Sequence, residues 1–268
     1  MASTTAGLLA TQAHRRDTVR RSALVVREVL GLWTMLDPLK LDKTSPAWLR
    51  LMLDLLDPQR RSSADSARTY YSVLRRAEAP SIRPFTVPSP RQPDAWREAA
   101  RTSLLVTGPI AVRQLAARGM DPAEAADQAA PGVAAAAARH VAAAGRRTID
   151  TAVRTDPAAI GWRRITGADP CSFCAMLASR GDLYLSKDSA QFADRGGRRE
   201  RYHDGCNCVP QPVFRRGAPL PDASAAAAQL WSTVTKGLSG RDARNAFRRA
   251  HEAQQRSQPP TGSVRGAP

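Results

Sequence analysis

All four cysteines of the chain fall between residues 171 and 208, with one histidine among them. Cys171 and Cys174 form a pair with two residues between them. His203 and Cys206 repeat that spacing, and Cys208 follows one residue further on. Two donors at this spacing let one tight turn aim both at a single ion. Zinc takes four nitrogen or sulfur donors of this kind in a tetrahedron. Gly167, Asp169 and Pro170 precede the first pair, and Asp204 and Gly205 lie inside the second, all residues that favour turns. Five donors are one more than a tetrahedral ion needs. The sequence leaves open whether four cysteines bind with His203 behind them, or three cysteines bind together with His203.

Other chemistries must be weighed on the same residues. The cysteines could pack a small module without metal, helped by Trp162, Phe173, Leu177, Phe192, Tyr202 and Phe214. A cysteine and a histidine could act as nucleophile and base. No Gly-x-Ser-x-Gly segment supports a serine nucleophile, and Asp204 and Gly205 follow His203 where a zinc deaminase needs glutamate two residues on. A structural metal is the favoured reading, because small modules poor in aromatics usually need a staple. His14, His140 and His251 stand beside arginines in helical segments and read as solvated-face residues.

Arg195, Arg198, Arg199 and Arg201 surround Gly196 and Gly197 between the two ligand pairs. They read as a phosphate-contacting loop, with a plain solvated loop as the alternative. Arg241, Arg244, Arg248 and Arg249 form a basic stripe at helical spacing near the C-terminus. The formal net charge of +16 points to a polyanionic partner, DNA or RNA first and an anionic protein surface second. A GC-rich genome would also enrich arginine, though not the excess over acidic residues. No apolar run reaches membrane-spanning length, and the N-terminus lacks a charged start before an apolar core. The chain is therefore expected to be made in a cytoplasm, where thiols stay reduced and a cysteine cluster favours metal over disulfides.

The elements that must position these residues read as helices. Hydrophobic residues make up 43% of the chain and aromatics only 5%, so alanine carries much of the apolar fraction. That composition predicts a mainly α fold with closely approaching helices. A first helix is expected over 7–36, with Val19, Ala23, Val26, Leu30 and Trp33 as its inner stripe. Asp57-Pro58 is expected to separate a helix over 45–56, with Trp48, Leu51, Met52 and Leu55 inward, from one over 62–79. A helix over 96–118, capped by Asp94, should kink at Gly108-Pro109 and end at Gly119. Asp121, Pro122 and Glu124 mark the start of a long alanine-rich helix that Pro131-Gly132 should interrupt and Asp156-Pro157 should end. Shorter helices are expected over 223–234 and after Ser239, with Phe247 inward. The resulting organisation is an N-terminal helical region (1–79), a proline-rich linker or strap (80–94), a long-helix region (95–156), a small irregular α+β Cys/His module (157–216), and a basic helical tail with a disordered end (217–268).

The module resembles the MuF-like minor head proteins of tailed bacteriophages, in the form found in phages of actinobacteria. The resemblance rests on Gly161-Trp162, on the run Asp169-Pro-Cys-Ser-Phe-Cys174, on Ala178-Ser-Arg-Gly-Asp-Leu-Tyr184, on Tyr202-His-Asp-Gly-Cys-Asn-Cys-Val-Pro210 and on Ser239–Arg249. The family's motif positions fall on Trp162, Asp169, Cys171, Cys174, Gly181, His203, Cys206 and Cys208. Asn207 stands where the family often has arginine, so any role of that arginine is not carried here. The N-terminal half agrees only in its helical character. The resemblance implies a virion protein of the head interior, present in few copies, associated with the portal and other head proteins and lying near packaged DNA; the Cys/His residues themselves point to a structural zinc. Such a protein takes part in head assembly and in DNA ejection. It is expected to be non-enzymatic. The alternatives are a capsid maturation protease or other head-associated enzyme, and a zinc-containing nucleic-acid-binding protein.

Overall fold

Helix α5, Pro122–Thr155, runs through the middle of the computed structural model, which describes residues 4–81, 83–89, 95–167, 169–180, 202–215, 217–218 and 220–257. The carboxylate of Asp121 accepts the N–H groups of Ala123 at 2.8 Å and Glu124 at 3.4 Å, and Pro122 takes the first position, where no N–H is needed. Around it pack α1 (Thr5–Trp33), α2 (Leu41–Glu78), α3 (Ala95–Leu105) and α4 (Ala111–Ala116). Val25, Val29 and Trp33 of α1, Trp48, Met52 and Leu56 of α2, Leu104 of α3, Val112 of α4 and Val133 and Val141 of α5 share one core. From Val133 to Ile149 α5 is buried on most of its sides, with Arg147 facing out. Its alanines let the backbones close up. At Gly145 an added Cβ would lie 2.9 Å from the Ser63 carbonyl oxygen of α2.

Two expected breaks are absent. α2 runs unbroken through Pro46 and Pro58, and α5 runs through Pro131. Each proline removes one backbone hydrogen bond and crowds the preceding turn. Pro131 and Gly132 lie on the exposed face of α5, where water can serve the freed carbonyl. Pro58 is exposed as well, and Leu56 and Arg60 on either side of it are buried, which keeps both flanks of α2 on the core. The inner face of α1 also differs from expectation. Val19, Ala23 and Leu30 are exposed, and Thr11, His14, Val25, Val29 and Trp33 face inward. In α2, Leu51 likewise turns out and Leu49 and Leu56 turn in.

The break at Gly108-Pro109 is where the sequence puts it. Gly108 has φ −106° and ψ −107° within a widened turn, Val106–Ile110, that joins α3 to α4. A Cβ there would come within 3.2 Å of Trp33, Trp48 and Val133, so a larger residue would have to push these side chains back. Gly119, at φ +94°, follows α4. The cap expected at Asp94 lies outside the described residues. Residues 83–89 form a strap without regular structure. Val87 is buried and Phe85 packs 6.0 Å from Tyr71, in a second core cluster with Leu74, Ile149 and Phe214.

Beyond α5 the chain forms two short strands, β1 (Gly161–Ile165) and β2 (Val209–Val213), paired antiparallel with Trp162 opposite Pro212 and Arg164 opposite Pro210. Both prolines fall at one phase of the ladder, the phase that asks for no N–H. Helix α6 (Ser172–Ala178) follows β1. After β2, α7 (Asp222–Val234) and α8 (Gly240–Ser257) pack on α6 through Ala175, Met176, Ala227 and Phe247. The fold is mainly α. No helix among the described residues is long and apolar enough to cross a membrane.

Candidate metal centre

Two turns bring the five donors together. α6 begins at its N-cap Cys171, whose sulfur accepts the N–H of Cys174 at 3.4 Å. Gly205, at φ +73°, lets the chain turn between His203 and Cys206, and the Cys206 N–H bonds the His203 carbonyl at 3.2 Å. His203 Nε2 then lies 3.1 Å from the Cys171 sulfur and 3.3 Å from that of Cys174, and the Cys174 and Cys206 sulfurs are 3.5 Å apart. Cys174, Cys206 and Cys208 are buried, Cys171 is exposed, and all four are free thiols. The donors fall into two overlapping triads, Cys171–Cys174–His203 and Cys174–Cys206–Cys208, each with its donor atoms within 4.8 Å of one another.

The histidine is set for ligation. Its Nδ1 lies 2.6 Å from the Asp204 carbonyl oxygen. A carbonyl only accepts, so Nδ1 carries a proton, and Nε2 is the ring atom that faces the sulfurs and would be offered to an ion. Two buried arginines back the cluster. Arg146 of α5 donates to the carbonyl oxygens of Cys206 and Cys208. Arg164 of β1 places Nη1 3.9 Å from the sulfurs of both Cys174 and Cys206. Their guanidinium groups stack over Tyr202 at 3.8 Å (Arg146) and 4.1 Å (Arg164) from the ring centre. Arg139 of α5 pairs with Asp204 beside the histidine.

These surroundings divide the four thiols, holding Cys171 and Cys206 down and pushing Cys174 and Cys208 up. A hydrogen bond from Cys174 first, and His203 after it, hold the Cys171 thiol down to about 4. Hydrogen bonds from Cys174 and Cys208, with the charge of Arg146, push Cys206 well below the usual thiol range. The bond to Cys171 pushes His203 up to about 9. Cys174, which donates within the cluster, is pushed up by its bonds to Cys171 and Cys206. Thiolate and imidazole donors beside compensating cations are what a soft or borderline divalent ion requires. The cluster is therefore positioned to hold a metal ion.

Packing alone accounts poorly for the cluster. Of the aromatics expected around it, Tyr202 packs on the cysteines. Phe173, though exposed, meets His203 edge-on at 6.0 Å, whereas Trp162 is buried in the strand pair, Phe214 joins Tyr71 in the bundle, Leu177 joins α7 and α8, and Phe192 lies outside the described residues. Asp169 accepts from Gln255 of α8, which ties the first turn to the tail helix. Gly181, Arg195, Arg198, Arg199 and Arg201 lie outside the described residues. Arg244, Arg248 and Arg249 are exposed on α8, well away in sequence from the cysteines, and Arg248 pairs with Glu252 at 3.2 Å.

Three histidines contradict the solvated-face reading. His14, His140 and His251 are all buried. His14 stacks 4.3 Å from Tyr70, His140 meets Ser103 at 3.0 Å, and His251 stacks 5.8 Å from Phe247. Imidazole is flat and largely apolar in its body, so an adjacent arginine in sequence does not keep it at the surface. Arg146 and Arg164 were not legible as part of the site. A signal for Arg146 exists: Ala142 and Ile149 share its helix face, and an arginine on an apolar face needs buried acceptors.

The VG15 protein family matches residues 8–234, from α1 through the cysteine module to the end of α7. The "Gene 15 protein" of Mycobacterium phage D29 is 32% identical over 222 residues, covering 72% of this chain and 76% of the relative. The "Gene 15 protein" of Mycobacterium phage L5 is 30% identical over 222 residues, covering 69% and 71%. No solved structure matches the chain. With the match spanning both the helical bundle and the metal-ready module, the chain belongs to the VG15 family of bacteriophage proteins.

Proposed function

We propose that this chain is a MuF-like minor head protein of an actinobacteriophage. It lies in the head interior, associates with the portal and other head proteins, and serves head assembly and DNA ejection. The observation that carries the reading is the module itself. A chain with mycobacteriophage relatives holds its Cys/His motif as two overlapping donor triads packed against the central helix of a bundle. The net charge of +16 supports residence beside packaged DNA. The cluster's ion is zinc, held as a structural staple. Sulfur-rich donors suit it, and a two-stranded sheet with one short helix buries too little to stand alone. Treating Cys171 and His203 as ligands, not as nucleophile and base, is supported by three more cysteines in the same cluster.

Quantitative mass spectrometry of purified virions tests this. The expected result is the chain present at a few copies per particle, and co-purification with the portal protein from procapsids. Its absence from both particles overturns the reading. Specific cleavage of the major capsid protein by the purified chain, lost on one substitution, would establish the protease alternative instead.

A further inference from the structure

We infer that the centre holds one ion on a fixed side of three sulfurs, Cys174, Cys206 and Cys208, while a fourth place is filled by either Cys171 or His203. This rests on the zinc reading above. The five donors do not form one set. The triad Cys174–Cys206–Cys208 is wholly buried, and in the other triad Cys171 and His203 are exposed; only Cys174 belongs to both. An ion seated on the buried triad has three of its four ligands and must take the last from the exposed pair.

The two sides are held differently. On the buried side, Arg146 grips the carbonyl groups of Cys206 and Cys208 from the central helix, and Arg164 lies 3.9 Å from two of the sulfurs. Those three cysteines are buried. On the exposed side, Cys171 and His203 border a surface dent of about 540 Å³ together with Ser172, Phe173 and Tyr202. They stand 3.1 Å from each other, and His203 Nε2 is 3.3 Å from Cys174, the one donor common to both triads. The dent leaves space for whichever is released. One thiolate and one imidazole are thus alternatives for a single ligand position, and the donor not in use faces solvent.

Metal content and cobalt spectra of the full chain, made under reducing conditions, test this. The wild type, Cys171→Ser and His203→Ala should each bind about one equivalent of zinc. Cys171→Ser/His203→Ala should hold less than about half an equivalent. With cobalt in place of zinc, the sulfur-to-metal band should be stronger in His203→Ala, which has four thiolates, than in Cys171→Ser, which has three. Iodoacetamide should label Cys171 in the metal-loaded wild type without releasing the ion. Loss of the ion from either single variant, or its retention in the double variant, overturns the inference. Helix content by circular dichroism, unchanged in all three variants, separates ligand loss from unfolding. A wild type that binds no zinc defeats the zinc reading itself, a result distinct from any pattern among the variants.

Discussion

Arg146 donates twice to the carbonyl oxygen of Cys208, from Nε at 3.2 Å and from Nη2 at 3.0 Å. A residue in the middle of the central helix thereby fixes the loop that carries the last two cysteines. Replacing it with alanine leaves the Cys206 and Cys208 carbonyls buried without their donor and removes one of the two guanidinium groups over the Tyr202 ring. The expected loss is about 2–4 kcal/mol by urea unfolding. Metal affinity should fall in parallel. An unchanged midpoint and unchanged zinc retention against a chelator would show that the loop is held by other contacts.

Asp156 and Arg75 form a buried pair at 2.6 Å, and the Tyr71 hydroxyl donates to the same carboxylate at 2.9 Å. Asp156→Ala strands a buried guanidinium and should destabilise by about 3–5 kcal/mol. The double variant Arg75→Met/Asp156→Leu removes both charges and should recover most of that loss. Denaturation midpoints of the two variants decide it. Equal midpoints would mean that the charge pair is not what matters.

Gly145 and Gly132 lie on the same helix and should respond in opposite directions. A Cβ at Gly145 would meet the Ser63 carbonyl at 2.9 Å, and the α2 backbone cannot give way cheaply. Gly145→Ala should cost about 1–3 kcal/mol. At Gly132 an added Cβ meets nothing within 4 Å. Gly132→Ala should stabilise by about 0.5–1 kcal/mol, because alanine loses less freedom on helix formation. Thermal melts of the two variants check both signs.

Stability should fall on acidification because of His14 and His140. Burial first holds His14 down to about 4, and nearby Arg21 and Arg146 add to this against Asp17; burial holds His140 down to about 3, with Arg139 and Arg60 adding. Both are neutral when folded and take a proton near 6.5 when unfolded, so the unfolded state binds more protons in this range. Their contribution is complete above about pH 6.5 and is lost as pH falls through 4 for His14 and through 3 for His140. His140→Gln should flatten the fall between pH 6.5 and 4 relative to wild type at matched metal content. Parallel pH curves for the two proteins would contradict this.

If α8 lies against DNA, Arg244, Arg248 and Arg249 each neutralise a phosphate. Replacing any of them with alanine should weaken binding alike on all sequences. The slope of log affinity against log salt should drop by about 1 for each arginine removed. A slope that does not change would move the DNA-facing surface elsewhere.

The sequence by itself determined the features that depend on local chemistry. The Asp121-Pro122 cap, the glycine break at 108, the end of α5 at Asp156 and the membership of the five-donor cluster are all set within a few residues, by turn preference, capping and ligand spacing. The tertiary structure decided what depends on partners far along the chain. Pro58 and Pro131 do not break their helices, because water access beside both, and burial on either side of Pro58, offset a lost hydrogen bond. The inner face of α1 moves from Val19 to Thr11 and His14. There Thr11 gives its one hydroxyl proton to Gly7, so Tyr70 donates to Thr11 at 3.0 Å and Gln211 donates at 2.8 Å from 200 residues away. The same distance hides the arginines of the metal centre. Arg146 reads as one more surface charge until α5 and β2 pack and place two cysteine carbonyls in front of it, because a buried charge is stable only where its partners have been brought to meet it.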